Sequence, residues 1–211
     1  MSLAYLDRMI AKGYGRAVMT GAFSTGVVGG GAGTVILIDE PELIIGIPSG
    51  YVMRPLSIEV VVHPGVTLAD SSETEALIAV DSIGLWIGDG TSTAENPSNL
   101  RTSLEKGSAL RVGSAVTGAI TTSNVVGTAA DPVLDLELAR FATTANFGDA
   151  TGIIETPFRL LYAPDYPEWL EGPCTLCVYF GGTIAVIGGF VIAKWVEAPT
   201  DIMEKYAYGE L

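Results

Sequence analysis

Near the N-terminus, Leu3, Leu6, Met9 and Ile10 recur at helical spacing with Asp7, Arg8 and Lys12 between them. The spacing predicts a short amphipathic helix, or an arm that becomes ordered against a neighbour. From Leu56 to Val60, and again from Leu134 to Arg140, apolar and polar residues instead alternate. Period two stacks one set of side chains on a single strand face, so both segments predict a sheet with one wet face. A helix would spread the leucines of 134–140 around its circumference.

The same reading places further strands at 34–38, 43–47, 56–62, 76–81, 84–87, 110–117, 157–162, 175–180, 183–187 and 190–196. Turn chemistry separates them: Asp39-Glu40-Pro41, Pro48-Ser49-Gly50, His63-Pro64-Gly65 and Gly88-Asp89-Gly90 combine fixed or permissive backbone with short polar side chains. Residues 91–108 and 142–152, rich in Thr, Ser, Gly and Asn, read as surface loops. Many short strands without βαβ alternation predict an all-β chain, an antiparallel β-sandwich or jelly roll of about 8–10 strands with a short N-terminal helix or arm. The expected division is residues 1–33 as an arm with a Gly-rich hinge and 34–211 as one β-sandwich domain.

Charge narrows the partners. Eleven basic side chains against 24 acidic ones give a net charge of −13, and a nucleic-acid binder needs a basic face. Arg8, Lys12 and Arg16 stand against Asp7 alone in residues 1–16, so the excess of acid lies wholly in the remainder. A small basic arm pairing with an acidic body explains that segregation. Direct nucleic-acid binding is thus not expected of the body, with a weak possibility for the arm. Two uncharged stretches, 17–38 and 172–193, are long enough to span a membrane, but glycines interrupt both and they read as buried strands with turns. No membrane span is expected. The N-terminal 19 residues, broken by Asp7, Arg8, Lys12 and Arg16, lack the apolar core of a signal peptide.

Candidate chemistry is sparse. The tract Gly29-Gly30-Gly31-Ala32-Gly33 is followed by Val35-Ile36-Leu37-Ile38, a strand pattern where a dinucleotide site needs a helix N-terminus. Cys174 and Cys177 form a C-x-x-C inside a strand pattern, where residues three apart point to opposite faces, so core cysteines are expected instead of a dithiol or metal site. His63 is the single histidine and lies in a His-Pro-Gly turn, which suits a turn residue better than a triad. Ser103-Leu104-Glu105-Lys106 has the Ser-x-x-Lys spacing but no Lys-Thr-Gly or Ser-Asp-Asn partner. No cofactor, metal or enzymatic activity is expected. The segment Tyr162-Ala163-Pro164-Asp165-Tyr166-Pro167-Glu168-Trp169 brings three aromatics and acids into a proline-rich loop, read as a subunit contact or a sugar-stacking platform.

Arm, Gly-rich hinge (26–33), β body and the terminal strand pair 172–180 and 183–195 together resemble the single jelly-roll virion proteins, the capsid and capsid-decoration subunits of phages and other icosahedral viruses. The resemblance implies a structural protein that self-assembles, as a trimer or pentamer, with other virion proteins as partners, in a virion put together in the host cytoplasm. The weakly basic arm and acidic body depart from genome-packaging capsids and fit an outer-shell or decorating position. With a mean hydropathy of +0.42, part of the apolar content is expected to be covered by other subunits. The expected assembly residues are Leu3, Leu6, Ile10, Tyr166 and Trp169. The alternative is a glycan- or receptor-binding module using Asp89, Asn96, Asn99 and Trp169.

Overall fold

The structure, a computed structural model, describes residues 4–20, 27–28, 36, 38, 40–63, 74–86, 91–104, 107–117, 121–123, 129–130, 132–143, 158–182 and 188–209. In chain order these form α1 (Ala4–Ala11), β1 (Gly15–Met19), β2 (Val27–Val28), β3 (Leu43–Ile47), β4 (Tyr51–His63), β5 (Thr74–Asp81), β6 (Leu85–Trp86), β7 (Thr91–Ala94), β8 (Ser98–Asn99), β9 (Arg111–Thr117), β10 (Thr122–Ser123), β11 (Ala129–Ala130), β12 (Leu136–Thr143), β13 (Phe158–Tyr162), β14 (Leu170–Glu171), β15 (Cys174–Gly182), β16 (Gly188–Pro199) and α2 (Thr200–Tyr208). Two antiparallel sheets make a sandwich. The first runs β13–β4–β16–β1–β8, with β14 also on β4 and β2 on β16; the second runs β12–β5–β15–β3–β9–β7. A three-stranded sheet, β11–β10–β6, shares no ladder with either and packs through β6 on the outer side of β3 and β15.

Period two decides what meets between the sheets. Ile58, Val60 and Val62 of β4 and Val191, Ala193 and Trp195 of β16 point inward against Leu43, Ile45 and Ile47 of β3 and Cys174, Leu176, Val178 and Phe180 of β15. β3 and β15 are apolar on both faces because a second cluster covers their outer side, where Ile44, Leu77, Ala79, Cys177 and Tyr179 meet Trp86. That is why β3 reads as an uninterrupted hydrophobic run. On the outer side of the first sheet a third cluster joins Val52, Val196 and Ala198 to Tyr5, Leu6 and Met9 of α1 and Met203 and Tyr206 of α2.

Residues 4–20 do not stand apart as an arm. β1 pairs with β16 from Gly15↔Val196 to Met19↔Ile192 and with β8 on its other side, inside the first sheet. Residue 16 explains the difference, for Arg16 points inward, is 3% exposed, and lies 3.4 Å from Glu197, itself 3% exposed. The guanidinium also donates to the carbonyls of Gly13 (2.8 Å), Gly15 (2.9 Å) and Gly107 (2.9 Å). Glu197 accepts from Ser108 Oγ (2.8 Å), Trp195 Nε1 (2.8 Å) and the Ala109 N–H (2.9 Å). The expected pairing of a basic N-terminal segment with the acidic body is met here, inside one chain.

Other boundaries also moved. Part of 91–108, expected as loop, forms β7 and β8, and 200–208, given no element from the sequence, is the helix α2, closed by Gly209 at φ +81°. β12 carries a bulge between Glu137 and Ala139. β4 carries another opposite Lys194 and Trp195, where Pro55 sits and where neither β13 nor β14 pairs; a central strand tolerates proline at such an irregularity. The expected strands 34–38 and 183–187 and the glycine tract 29–33 lie outside the described residues apart from Ile36 and Ile38.

Removing one partner of a buried, hydrogen-bonded ion pair leaves the other charge uncompensated, a loss of about 3–5 kcal/mol. Arg16→Met is therefore expected to lower stability by about that amount in urea unfolding. Lys205→Ala, which removes the exposed 3.6 Å pair with Asp201 on α2, is expected to change it by less than about 0.5 kcal/mol. Equal effects would show that the buried pair is not a principal anchor.

Candidate functional site

The proline-rich loop between β13 and β14 carries one of the two most exposed aromatic side chains among the described residues, Tyr166, the other being Tyr208 of α2. Tyr162 and Leu170 are buried at its two ends, and Pro167 is buried between them, so the loop is pinned at three points. Pro164 and Pro167 fix two φ angles. Arg54 of β4 donates to the Pro167 carbonyl and stacks over the rings of Trp169 (5.4 Å) and Tyr5 (5.9 Å). Burial pushes the Tyr5 phenol up, opposed by the neighbouring Arg54 guanidinium. With its foundations fixed, the loop presents Tyr166 at 71% exposure.

The expected assembly residues separate on this frame. Tyr166 faces solvent. Leu6 is 4% exposed and packs inside its own chain against α2, so it is not free to meet another subunit. Ile10 and Trp169 are half-buried in the same cluster, and Leu3 lies outside the described residues. The reason is that α1 has a covering partner within the chain, the outer side of β4 and β16 together with α2.

The alternative ligand set is not assembled. Asn99 is spent on its own chain, donating to the Gly13 carbonyl (3.1 Å) and accepting from the Arg101 N–H (2.9 Å). Trp169 adjoins β14, whereas Asn96 and Asn99 belong to the β8 edge of the same sheet. Four strand spacings separate those edges, about 19 Å. Asp89 lies outside the described residues. Asn96 does line an open groove of about 360 Å³ with Ala17, Val18, Met19, Glu95, Ser98 and Ile192. No local pattern marks this groove, because it is lined by β1 and β16 together with residues 95–98.

Comparison with family models, curated proteins and solved structures finds no match. Residue roles therefore rest on the geometry of this chain.

Buried polar groups elsewhere hold the fold together. Asp81 accepts from the Gly84 N–H (2.7 Å), Thr122 Oγ1 (2.7 Å) and the N–H groups of Ile83 and Val133 (both 3.2 Å), joining β5 to the small sheet. A Cβ on Gly84 would lie 2.2 Å from the Asp81 carboxylate, so a side chain there would dislodge this centre. Thr175 accepts from the Trp86 N–H (2.8 Å) and donates to the Gly84 carbonyl (2.7 Å). Among the described residues, no group of three or more His, Cys, Asp or Glu is placed to hold a metal, and no helix is long and apolar enough to cross a membrane. His63 ends β4, paired with Gly188. Lys106 of the Ser-x-x-Lys lies outside the described residues.

Cys174 enters the inter-sheet core and Cys177 the outer cluster, on the opposite faces expected of strand residues three apart. Burial pushes both thiols up to about 12, against about 8.5 for a free thiol. The thiolate is the reactive form, so neither cysteine is expected to react with iodoacetamide in the native protein at pH 8, while both react in urea. Because the folded values are raised, their contribution to stability is complete below about pH 8.5 and is lost as pH climbs from there towards 12. Rapid native labelling would refute this.

Proposed function

We propose that this chain is a structural β-sandwich subunit of a virion, in a shell or decorating position, that assembles with copies of itself. The observation that carries the reading is Tyr166, a large aromatic side chain held 71% exposed on a loop whose base is fixed by two prolines and by Arg54. Tyrosine supplies contact area with few rotatable bonds, and a pre-ordered loop loses little further entropy on docking. The sandwich with two sheets and short helices is the kind of body that the jelly-roll resemblance calls for, and its acidity suits an outer position over direct contact with a genome.

Truncation of residues 1–32 is not a usable test, because it deletes β1 and Arg16 from the first sheet. A point change is. Light scattering on a sizing column is expected to give the full chain a mass above its 22.0 kDa monomer, and Tyr166→Ala is expected to lower that mass with an unchanged circular-dichroism spectrum. A monomer at every concentration would overturn the assembly reading. The groove holding Glu95, Asn96 and Ser98 favours the second reading, a glycan- or receptor-binding module; glycan-array binding abolished by Asn96→Ala in a monomeric protein would establish it.

A further inference from the structure

The outer side of the first sheet is a step. Over the rows 52–56 and 196–198, α1 and α2 cover it, adding a layer about 10 Å thick. Further along the same strands, no described helix covers two successive rows. One row runs Leu161–Glu59–Ile192–Met19 across β13, β4, β16 and β1. The next runs Ser57–Lys194–Ala17–Ser98 across β4, β16, β1 and β8. Leu161 (51%) and Met19 (36%) are exposed there, Lys194 stands in solvent, and the Asn96 groove opens at the β1–β8 side. An outward face of an antiparallel sheet ordinarily carries polar side chains, so these apolar positions ask for a cover.

We propose that the cover is a second copy of this chain, in a two-fold dimer that lays the helical half of each copy on the bare half of the other. The inference rests on the assembly reading above and specifies one of its contacts. Shape supports it, since a raised part and the adjoining two-row strip that no described helix covers complement themselves under an axis parallel to the sheet and perpendicular to its strands. Charge supports it too. That axis keeps each strand position opposite itself, so α2, packed over β16 and β4, meets β16 and β4 of the partner. The solvent-facing acids of α2, Asp201 and Glu204, then approach Lys194. α1, packed against β1 and β16, meets the β1 side and the groove that opens there. Helices of 8 and 9 residues are about 12–14 Å long, and two reciprocal halves bury roughly 1,000 Å² in total, the scale of a reversible contact. Tyr166 is left for a different neighbour, and a shell needs more than one kind of contact.

The test is sedimentation equilibrium of the full chain at low salt, with Lys194→Glu, the double change Asp201→Lys with Glu204→Lys, and the triple combination. Dimerisation is expected to weaken by on the order of tenfold or more in Lys194→Glu and in the double variant, through like-charge opposition, and to recover in the triple. Because Lys194, Asp201 and Glu204 face solvent, the variants are expected to keep the native circular-dichroism spectrum and urea midpoint. An oligomer unmoved by Lys194→Glu, or weakened by it without recovery in the triple, overturns this pairing while leaving assembly through Tyr166 standing. A full chain that is monomeric throughout overturns both.

Discussion

A carboxylate taken out of water at one end of the sandwich sets the terms for everything around it. Glu197 lies on β16 in the first sheet, and Ser108 and Ala109, which donate to it, lead into β9 of the second. Its cation, Arg16, comes from β1 near the N-terminus. Three remote segments therefore meet at one charge. Desolvating two ions costs several kcal/mol each, and the pair is tolerable because the geometry satisfies nearly every remaining donor and acceptor. Register follows from this. A slip of β1 by one residue would turn Arg16 to the outer side and leave Glu197 buried without its cation. The N-terminal segment is thus tied into the first sheet by an electrostatic requirement, and α1, which immediately precedes it, is delivered onto the outer side of β16.

The same economy of polar groups recurs where strands part company. At the end of β1, Thr20 donates its N–H to the Val191 carbonyl (2.9 Å) and accepts the Val191 N–H on Oγ1 (3.0 Å), so side chain and backbone together complete the ladder. Before β3, Glu42 donates its N–H to the Val178 carbonyl (2.9 Å) and accepts the Phe180 N–H on its carboxylate (2.9 Å). The next residue back is Pro41, which has no N–H to give. Asp81 does comparable work at the end of β5. In each place a buried donor keeps a partner as the chain turns away, which avoids the loss of about 1–3 kcal/mol that an orphaned group would bring.

These arrangements explain what the sequence could and could not convey. Alternation over 58–60 holds, with Ile58 and Val60 inward and Glu59 outward, but the bulge at 55–57 turns Leu56 to the outer cluster beside the helices; the run Leu43–Ile47 is a strand because both of its faces are covered. The opposed faces of Cys174 and Cys177 follow from strand geometry alone. β1 carries no periodic signal because its inward position holds an arginine, and hydrophobic periodicity has no way to register a buried cation whose partner lies 181 residues away. β7 and β8 are built from Thr, Ser, Ala and Asn, polar enough to pass for loop, and take their place by pairing with β9 and β1. α2 did leave a signal: Ile202, Met203 and Tyr206 at helical spacing, Asp201 four residues before Lys205, and Gly209 at the end. At the site, the exposure of Tyr166 was legible from its prolines, whereas the groove beside Asn96 depends on pairings that no local pattern encodes.

Burial of Arg16 also changes the meaning of the chain's charge. As a string, residues 1–16 look like a basic arm suited to an external anion. In the fold, the base deepest in that segment is paired internally, and α1 carries Arg8 and Lys12 on its exposed side. The outer side of the first sheet is consequently a mosaic, with Lys194 and Arg159 on its bare part and both signs on its helical part, within a molecule of net charge −13. Uniformly acidic bodies repel one another. Approach of two copies is least opposed where the local field is mixed, which is also where apolar side chains lie open. The charge distribution and the exposed Leu161 and Met19 therefore favour the same face for the contact proposed above.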